Sequence, residues 1–515
     1  MSRLSCRPSI RPAAARCIRS RRRRAATTNE REGITMKTRM SVPRFVLPLV
    51  AALVLAGCAT APAGLPAIDL PEQFKEQTQA AAQPAAQPAE GAWTRAAPAE
   101  AQPRGEWWRA FGDPVLDGLI ERATAHNTGI QQAAARVRQA RALARLTDAD
   151  RSVQVGVGAG ASRQAGLETT GGPTPATLLS AGASVSYELD LFGRLARASD
   201  AARLEAESRE ALLQSARLLV QAEVAQTYLA LRAIDAERVL TRDSVAAYRD
   251  TLRLTQRRFQ AGDVAELDVA RVQTEVAATE SDALALDRRR AEIEHALAVL
   301  TGELPSNFDL RADEWGTALP AIPAGVPSTV LTRRPDVAAA QSAVLAAQAR
   351  VGAAQAAWFP SISLTGSGGF ASPELGDLFK WSARSWGIGA LLSLPVLDGG
   401  RRAAGVESAS GQLDEVLAGY RAQVLTAVRD VEDQLSALRL LHEQAQVQAT
   451  AVASAQRATQ LSDSRWRNGY VSQLDLLDAR RSELANRRQA LHVRAAQFQA
   501  TVGLVRALGG GWEPA

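Results

Sequence analysis

The segment Leu474-Asp475-Leu476-Leu477-Asp478-Ala479-Arg480-Arg481 sets acids and bases among leucines at helical spacing. Residues 474, 478 and 481 stand at i, i+4 and i+7, so a helix would carry an apolar group, a carboxylate and a guanidinium on one face. Asp475 lies one turn before Asp478. Such a face can pair charges, repel like charges and select ions, but it holds no nucleophile. The plainer reading of Asp478 and Arg481 is a solvated intrahelical pair. Candidates for covalent chemistry are few. His126, His295, His442 and His492 are dispersed and form no local ligand motif. GVGAGAS at 156–162 lacks the G-x-G-x-x-G spacing of a dinucleotide loop and sits on an alternating pattern. No G-x-S-x-G, H-E-x-x-H or Walker A pattern occurs. Glu432-Asp433 reads as a solvated helix face. Neither catalysis nor a metal site finds support in these residues, and no cofactor is expected.

One cysteine is different. Cys58 ends the run Leu55-Ala56-Gly57-Cys58, behind an apolar stretch from Phe45 to Ala56 and the basic residues Lys37, Arg39 and Arg44. That is the layout of a secretory signal peptide, too short in its apolar part to span a bilayer comfortably. Its end resembles the bacterial lipobox, in which the thiol is acylated and cleavage leaves the cysteine first. Ala59, rather than Asp, follows it, which by resemblance to sorted lipoproteins favours release to the outer membrane. The alternative is an ordinary signal peptide with a chance cysteine. Residues 1–35, with Arg21 to Arg24 and no apolar run, read as an over-extended start before Met36. Cys6 and Cys17 fall there, so a chain matured at Cys58 has no disulfide.

Charge follows the same division. The whole chain is +6, but residues 1–57 carry 13 Lys and Arg against 2 Asp and Glu, which leaves −5 from Cys58 onward. The basic balance belongs to the leader and gives no argument for nucleic acid. The three Met are at 1, 36 and 40, so the mature part offers no relay of Met ligands for copper.

What positions the acid-base face is a set of very long helices. Residues 58–105 are rich in Ala, Pro and Gln and read as a poorly ordered tether behind the acylated cysteine. Beyond them, 114–149, 194–302, 334–358 and 401–508 read as helix with a few breaks. A helix of about 65 residues would be on the order of 100 Å long. Four shorter stretches alternate with period two: 151–162, 178–191, a run from Ser361 to Thr365, and Trp386 to Val396. In 178–191 the odd positions are Leu179, Ala181, Ala183, Val185, Tyr187, Leu189 and Leu191, against Ser, Gly, Glu and Asp. The strands form two pairs, joined by loops near 164–177 and 371–384. Strands apolar on one face and Gly/Ser-rich on the other suit a transmembrane β-barrel, or else a soluble sheet with one buried face. Four strands cannot close a pore, so a barrel needs several chains.

The halves repeat at an offset of 207: RFQAGDVAELDV begins at Arg258 and RWRNGYVSQLDL at Arg465, matching Gly262 with Gly469 and Asp268 with Asp475. YLALR at 228–232 meets LSALR at 435–439 at the same offset. Each half reads as helix, two strands, long helix, turn, helix, with the first repeat over 106–315 and the second over 316–515. A turn at Gly262 or Gly469 needs a residue that tolerates positive φ, although either glycine could simply end a helix.

Several blocks in order carry a family resemblance: Trp107-Trp108 through Phe111, Asp113-Pro114, YELDLFGR at 187–194, RRPDVAAAQSAVLAAQARVGAAQAAWFPSISLTGS at 333–367, LPVLDGGRR at 394–402 and the two Arg-aromatic-x-x-Gly blocks. They resemble the TolC-type outer-membrane efflux family over about 106–508, most closely its NodT lipoprotein branch. The resemblance implies a mainly α fold with a β-barrel portion. Three chains would each give four strands to a 12-stranded outer-membrane barrel above a periplasmic tunnel of helical hairpins. It implies that Gly262 and Gly469 mark the tip that meets a periplasmic adaptor, and that an inner-membrane resistance-nodulation-division pump supplies energy and chooses cargo. It implies further that Leu474 gives an apolar constriction and Asp478 a carboxylate ring, with Asp475 adding a second ring. Arg481 would tie Asp478 to a neighbouring helix and hold a closed state. A type I protein-secretion channel, a periplasmic adaptor or a structural coiled-coil lipoprotein are the competing readings.

Overall fold

A computed structural model describes residues 74–76, 105–165, 175–320 and 333–510. All of them lie in one unit within Pro62–Ala515. The leader, Cys58 and most of the tether are outside the described residues.

Helix starts follow from capping chemistry. α1 (Pro114–His126) begins behind Asp113, whose carboxylate accepts from the Val115 and Leu116 N–H groups at 3.0 and 3.3 Å. α2 (Thr128–Ala149) begins behind Asn127, which caps Gly129 and Ile130 in the same way. The stretch read as helix over 114–149 is broken into two at Asn127, because its side chain takes the N–H groups that open the second; each such cap stabilises by about 1 kcal/mol. β1 (Gln154–Ala165) and β2 (Pro175–Leu189) precede α3 (Arg194–Gln260), and α4 (Glu266–Thr301) returns from it. The second half repeats the order with α5 (Pro335–Ala356), β3 (Ser361–Ser372), β4 (Arg384–Ser393), α6 (Arg401–Arg467) and α7 (Gln473–Ala507). α3 and α6 have 67 residues each, and at 1.5 Å per residue each runs for about 100 Å.

The sheet is antiparallel throughout, in the order β1-β2-β3-β4. Register places Val155, Val185, Gly366 and Ile388 in one row, and Val157, Ala183, Gly368 and Trp386 in the row two residues on. The rows between hold Gly156, Ser184, Ser367 and Gly387. One face is thus apolar and the other Gly/Ser across all four strands. The apolar face is bare: Val157, Trp386 and Ile388 are 87%, 76% and 86% exposed. β1 and β4 each keep one unpaired edge within the chain. Gly182 faces Gly369, and a Cβ at 182 would lie 2.7 Å from the Gly368 carbonyl oxygen, so this approach excludes a side chain. The last strand stops at Ser393 rather than reaching Val396, because Pro395 has no N–H to give to a ladder. β3 runs past Thr365 to Ser372; pairing on both sides carries Gly366, Gly368 and Gly369, which pattern alone does not mark as strand.

The main core lies where α1, α3 and α7 meet, with Trp107, Phe111, Tyr228, Leu231, Phe498 and Val502 buried together. Beneath it is a buried charge cluster. Asp235 accepts from Arg290, Arg238 and Arg232 at 2.8, 3.2 and 3.3 Å. Arg232 also donates to the Arg311 carbonyl, and Glu294 accepts from the Leu310 N–H, so the connection after α4 is strapped down.

Among the described residues the tether is anchored at 74–76. Phe74 is fully buried in the main core. The Glu432 carboxylate accepts from the Lys75 and Glu76 N–H groups at 2.7 and 3.2 Å, and Arg439 pairs with Glu76 at 3.0 Å. Two expectations are corrected here. Glu432 is a receptor for the tether rather than a solvated face, and residues 74–76 are held. Burial of one phenylalanine stabilises by roughly 1.5–3 kcal/mol, and the Glu432 and Arg439 bonds add to it against the entropy of ordering the three residues.

Candidate gate and docking tip

The bundle ends farthest from the sheet at two matched turns. After α3 the Gly262 N–H donates to the Phe259 carbonyl at 3.0 Å and the Asp263 N–H to the Arg258 carbonyl at 2.8 Å. After α6 the Gly469 N–H donates to Trp466 at 3.0 Å and the Tyr470 N–H to Arg465 at 2.9 Å. Gly262 and Gly469 have φ of 81° and 77°. A Cβ at either would touch nothing within 4 Å, so the left-handed backbone alone demands glycine. The Arg258 guanidinium lies over the Trp466 ring at 4.7 Å and ties the two turns together.

α7 starts directly after the second turn with a capping box. Ser472 Oγ accepts from the Asp475 N–H at 3.2 Å, and the Asp475 carboxylate accepts from the Ser472 N–H and Oγ at 3.0 and 2.7 Å. Asp475 is thereby held at the helix start by its own neighbours. Leu474 is exposed, whereas Leu476 and Leu477 are buried, the latter packed with Tyr248, Val272 and Val276. Burial pushes the Tyr248 hydroxyl up to about 12, with the Glu275 carboxylate adding to the effect.

Asp478 and Arg481 share the outer face of α7 and pair at 3.2 Å. Arg481 Nε also donates to Glu275 of α4 at 2.8 Å. That bond to Glu275 holds the guanidinium above its ordinary range. Leu474, Asp478 and Arg481 therefore come together on one exposed face, tied across to α4, while Asp475 turns to the cap. Arg480 was missed from sequence. It donates to the Ala247 carbonyl and Thr251 Oγ1 on α3 and pairs with Asp463 of α6 at 3.0 Å. Gln473, buried, donates to Thr255 Oγ1 at 2.7 Å.

One heptad along α7, Arg488 bridges Glu237 of α3 at 2.6 Å and Asp282 of α4 at 3.0 Å, and His492 approaches Glu237 at 3.1 Å. The pairs Glu275–Arg481 and Asp282–Arg488 both span 206 residues, seven apart. That shared heptad step was a readable signal. Glu237 had none, because nothing in its local sequence, with Asp235 and Arg238 on either side, marks which helix it faces. The arrangement can fasten helices, display carboxylates beside the two turns and be released by separating charges. Among the described residues no group of three or more His, Cys, Asp and Glu could hold a metal ion.

The sequence pattern of the outer membrane efflux protein family matches residues 119–303 and 326–510, one match per repeat. The cation efflux system protein CusC of Escherichia coli O6:H1 is 30% identical over 475 residues, covering 92% of this chain and 99% of that protein. The probable efflux pump outer membrane protein TtgC of Pseudomonas putida is 34% identical over 428 residues, covering 81% and 87%. The solved outer-membrane channel OprN superposes with a TM-score of 0.79 at 28% identity, covering 88% of this chain and all of that one.

Proposed function

This chain belongs to the outer membrane efflux protein family, and on that footing we propose that it is the passive outer-membrane channel of a tripartite efflux system. Small molecules would arrive from an inner-membrane resistance-nodulation-division pump through a periplasmic adaptor. The observation that carries the reading is the sheet: an exposed apolar face, a Gly/Ser face and two unpaired edges at one end of the chain, with the matched turns about 100 Å away. An apolar face this bare needs lipid, and open edges need neighbours. Three copies pairing β4 of one with β1 of the next would close 12 strands with the apolar face outward and the polar face on a water-filled lumen. The chain then moves cargo without breaking or forming covalent bonds.

In this reading Gly262 and Gly469 form the adaptor-docking tip, and Leu474, Asp475, Asp478 and Arg481 the periplasmic gate. Cysteines at Asp263 and Tyr470, beside the two glycines, should cross-link to the adaptor's tip in cells that express both proteins. Cross-links confined to the sheet-proximal helix ends, such as Arg194 or Arg401, would refute the orientation.

Lipid on Cys58 would anchor the chain to the same membrane. Wild-type protein should take up a clickable palmitate analogue, and Cys58→Ser should take up none. Label retained by the variant would remove the lipobox from the reading. Some transport should survive the substitution, since a barrel already holds the protein in place.

A further inference from the structure

The apolar face of the sheet ends in two different ways. Toward the helices its paired rows hold Val155, Tyr187, Leu189, Ile362, Leu364 and Leu392, and no charge. Toward the loops the same face carries two arginines. Arg163 stands opposite Thr177 and Arg384 opposite Phe370. Even steps from Val155 and from Ile388 keep both on the apolar side, and both are exposed.

Neither arginine meets a carboxylate. Among the described residues Arg163 has no hydrogen bond or ion pair. Arg384 donates to the Trp381 carbonyl at 3.2 Å and lies over the Trp381 ring at 4.5 Å. Phe379, Trp381 and Trp386 around it are 71%, 74% and 76% exposed. The connection from β3 to β4 is nonetheless pinned down: Leu378 is buried, and Phe379 meets Phe370 edge-on at 5.8 Å. Lys380 pairs with Asp377, which leaves Glu374 as the one carboxylate of this connection without a cation. At the helix end, by contrast, Arg194 pairs with Glu188 at 2.7 Å and Arg402 with Asp398 at 2.6 Å.

A guanidinium on a lipid-facing strand position is costly in hydrocarbon and tolerated only at its border. Aromatic rings at that border are the ordinary belt of a membrane protein. The arginines are not part of that belt, and a desolvated cation needs an anion. Phosphate accepts two parallel bonds from one guanidinium, which makes it the fitting partner. On the channel reading the helices lie in the periplasm, so the loop end meets the outer leaflet. Its lipid is lipid A, an acylated glucosamine disaccharide that carries phosphates. Closure of three copies sets β4 of one chain beside β1 of the next, which brings Arg384 and the next copy's Arg163 onto neighbouring strands.

We propose that Arg384 of one copy and Arg163 of the next hold the phosphates of a lipid A molecule, with Phe379, Trp381 and Trp386 against its acyl chains. The site rests on the channel reading for the pairing of β4 with β1 and for the leaflet it meets. Its chemistry rests on the two unpaired guanidinium groups at one end of an otherwise uncharged face.

The test titrates the full-length trimer in detergent with lipid A and counts bound lipid by native mass spectrometry, with lipid A stripped of its phosphates as the reference. Wild type should bind lipid A about tenfold more tightly than the stripped form, the expected worth of one hydrogen-bonded charge pair. Arg163→Gln with Arg384→Gln should bind both forms alike, and each single variant should fall between. Arg401→Gln, an exposed arginine at the helix end, should keep the wild-type preference. If the double variant loses its trimer, the single variants decide. Equal binding of the two forms by wild type, or a preference that survives the arginine substitutions, overturns the proposal. So does phosphatidylglycerol bound as tightly as lipid A, which would mean a general anionic surface. Loss of the preference in inorganic phosphate would mean a free-anion site and overturns it too. In each of these cases wild-type conductance in planar bilayers leaves the channel reading standing. A protein that neither trimerises nor conducts overturns both.

Discussion

Arg481→Ala, with the trimer reconstituted in planar bilayers, is expected to raise single-channel conductance and the fraction of time spent open. Of Leu474, Asp478 and Arg481, it is Arg481 that reaches another helix, through Glu275 of α4. It also neutralises Asp478 at 3.2 Å. With half of the Arg481 side chain exposed, each contact is worth only about 1 kcal/mol or less. Three copies lost together would still amount to about 3 kcal/mol, which moves a two-state equilibrium by roughly 100-fold. Asp478→Ala removes only the intrahelical partner of Arg481, and on the gate reading it should also weaken cation preference, because it would take carboxylates out of the proposed constriction. Cells carrying either variant should admit large antibiotics that the wild type excludes. Asp475→Ala gives an internal contrast. Its carboxylate closes the Ser472 capping box, so its loss should cost about 1 kcal/mol of helix stability and change selectivity less than Asp478→Ala. Conductance, selectivity and permeability all at wild-type values, with trimers intact, would leave Asp478 and Arg481 as an ordinary surface pair.

Asp235→Ala is expected to be the most damaging single change to stability, by about 3–5 kcal/mol. The Asp235 side chain is 2% exposed and faces Arg232, Arg238 and Arg290, themselves 4%, 15% and 13% exposed. Removing the carboxylate leaves three guanidinium groups crowded in a poorly solvated space. Each keeps another acceptor: Tyr228 Oη and the Arg311 carbonyl for Arg232, Asp287 for Arg238, Glu294 for Arg290. Those bonds hold the arginines in place without cancelling their repulsion. Asp235→Asn keeps the shape and loses the charge, and should fall between alanine and wild type. Because Arg290 also holds Glu294, whose carboxylate accepts from the Leu310 N–H, protection of that amide from hydrogen exchange should drop together with resistance to heat. Asp235→Ala melting within a few degrees of wild type, with the Leu310 amide still protected, would show that the cluster contributes little.

The sequence by itself determined what depends on neighbours a few residues away. Glycine at 262 and 469 ends a helix because only a left-handed residue closes that turn, so two turns could be read with no knowledge of what surrounds them. Strand alternation in 178–191 fixed which side chains share a face, since side chains in a strand alternate whatever it pairs with. The offset of 207 between the halves carried over to the order of elements in each. Tertiary structure alone decided the choice of partner. Arg481 meets Glu275, Arg480 meets Ala247, Asp235 meets Arg290 and Glu432 meets the tether at Lys75, across separations of 206, 233, 55 and 357 residues. An arginine on a long Ala-rich helix looks the same whether it points to water or to a carboxylate on another helix. Local spacing fixes only the angle at which a side chain leaves its own helix. The rotation and stagger of packed helices decide what it meets, and those are set by the whole buried interface.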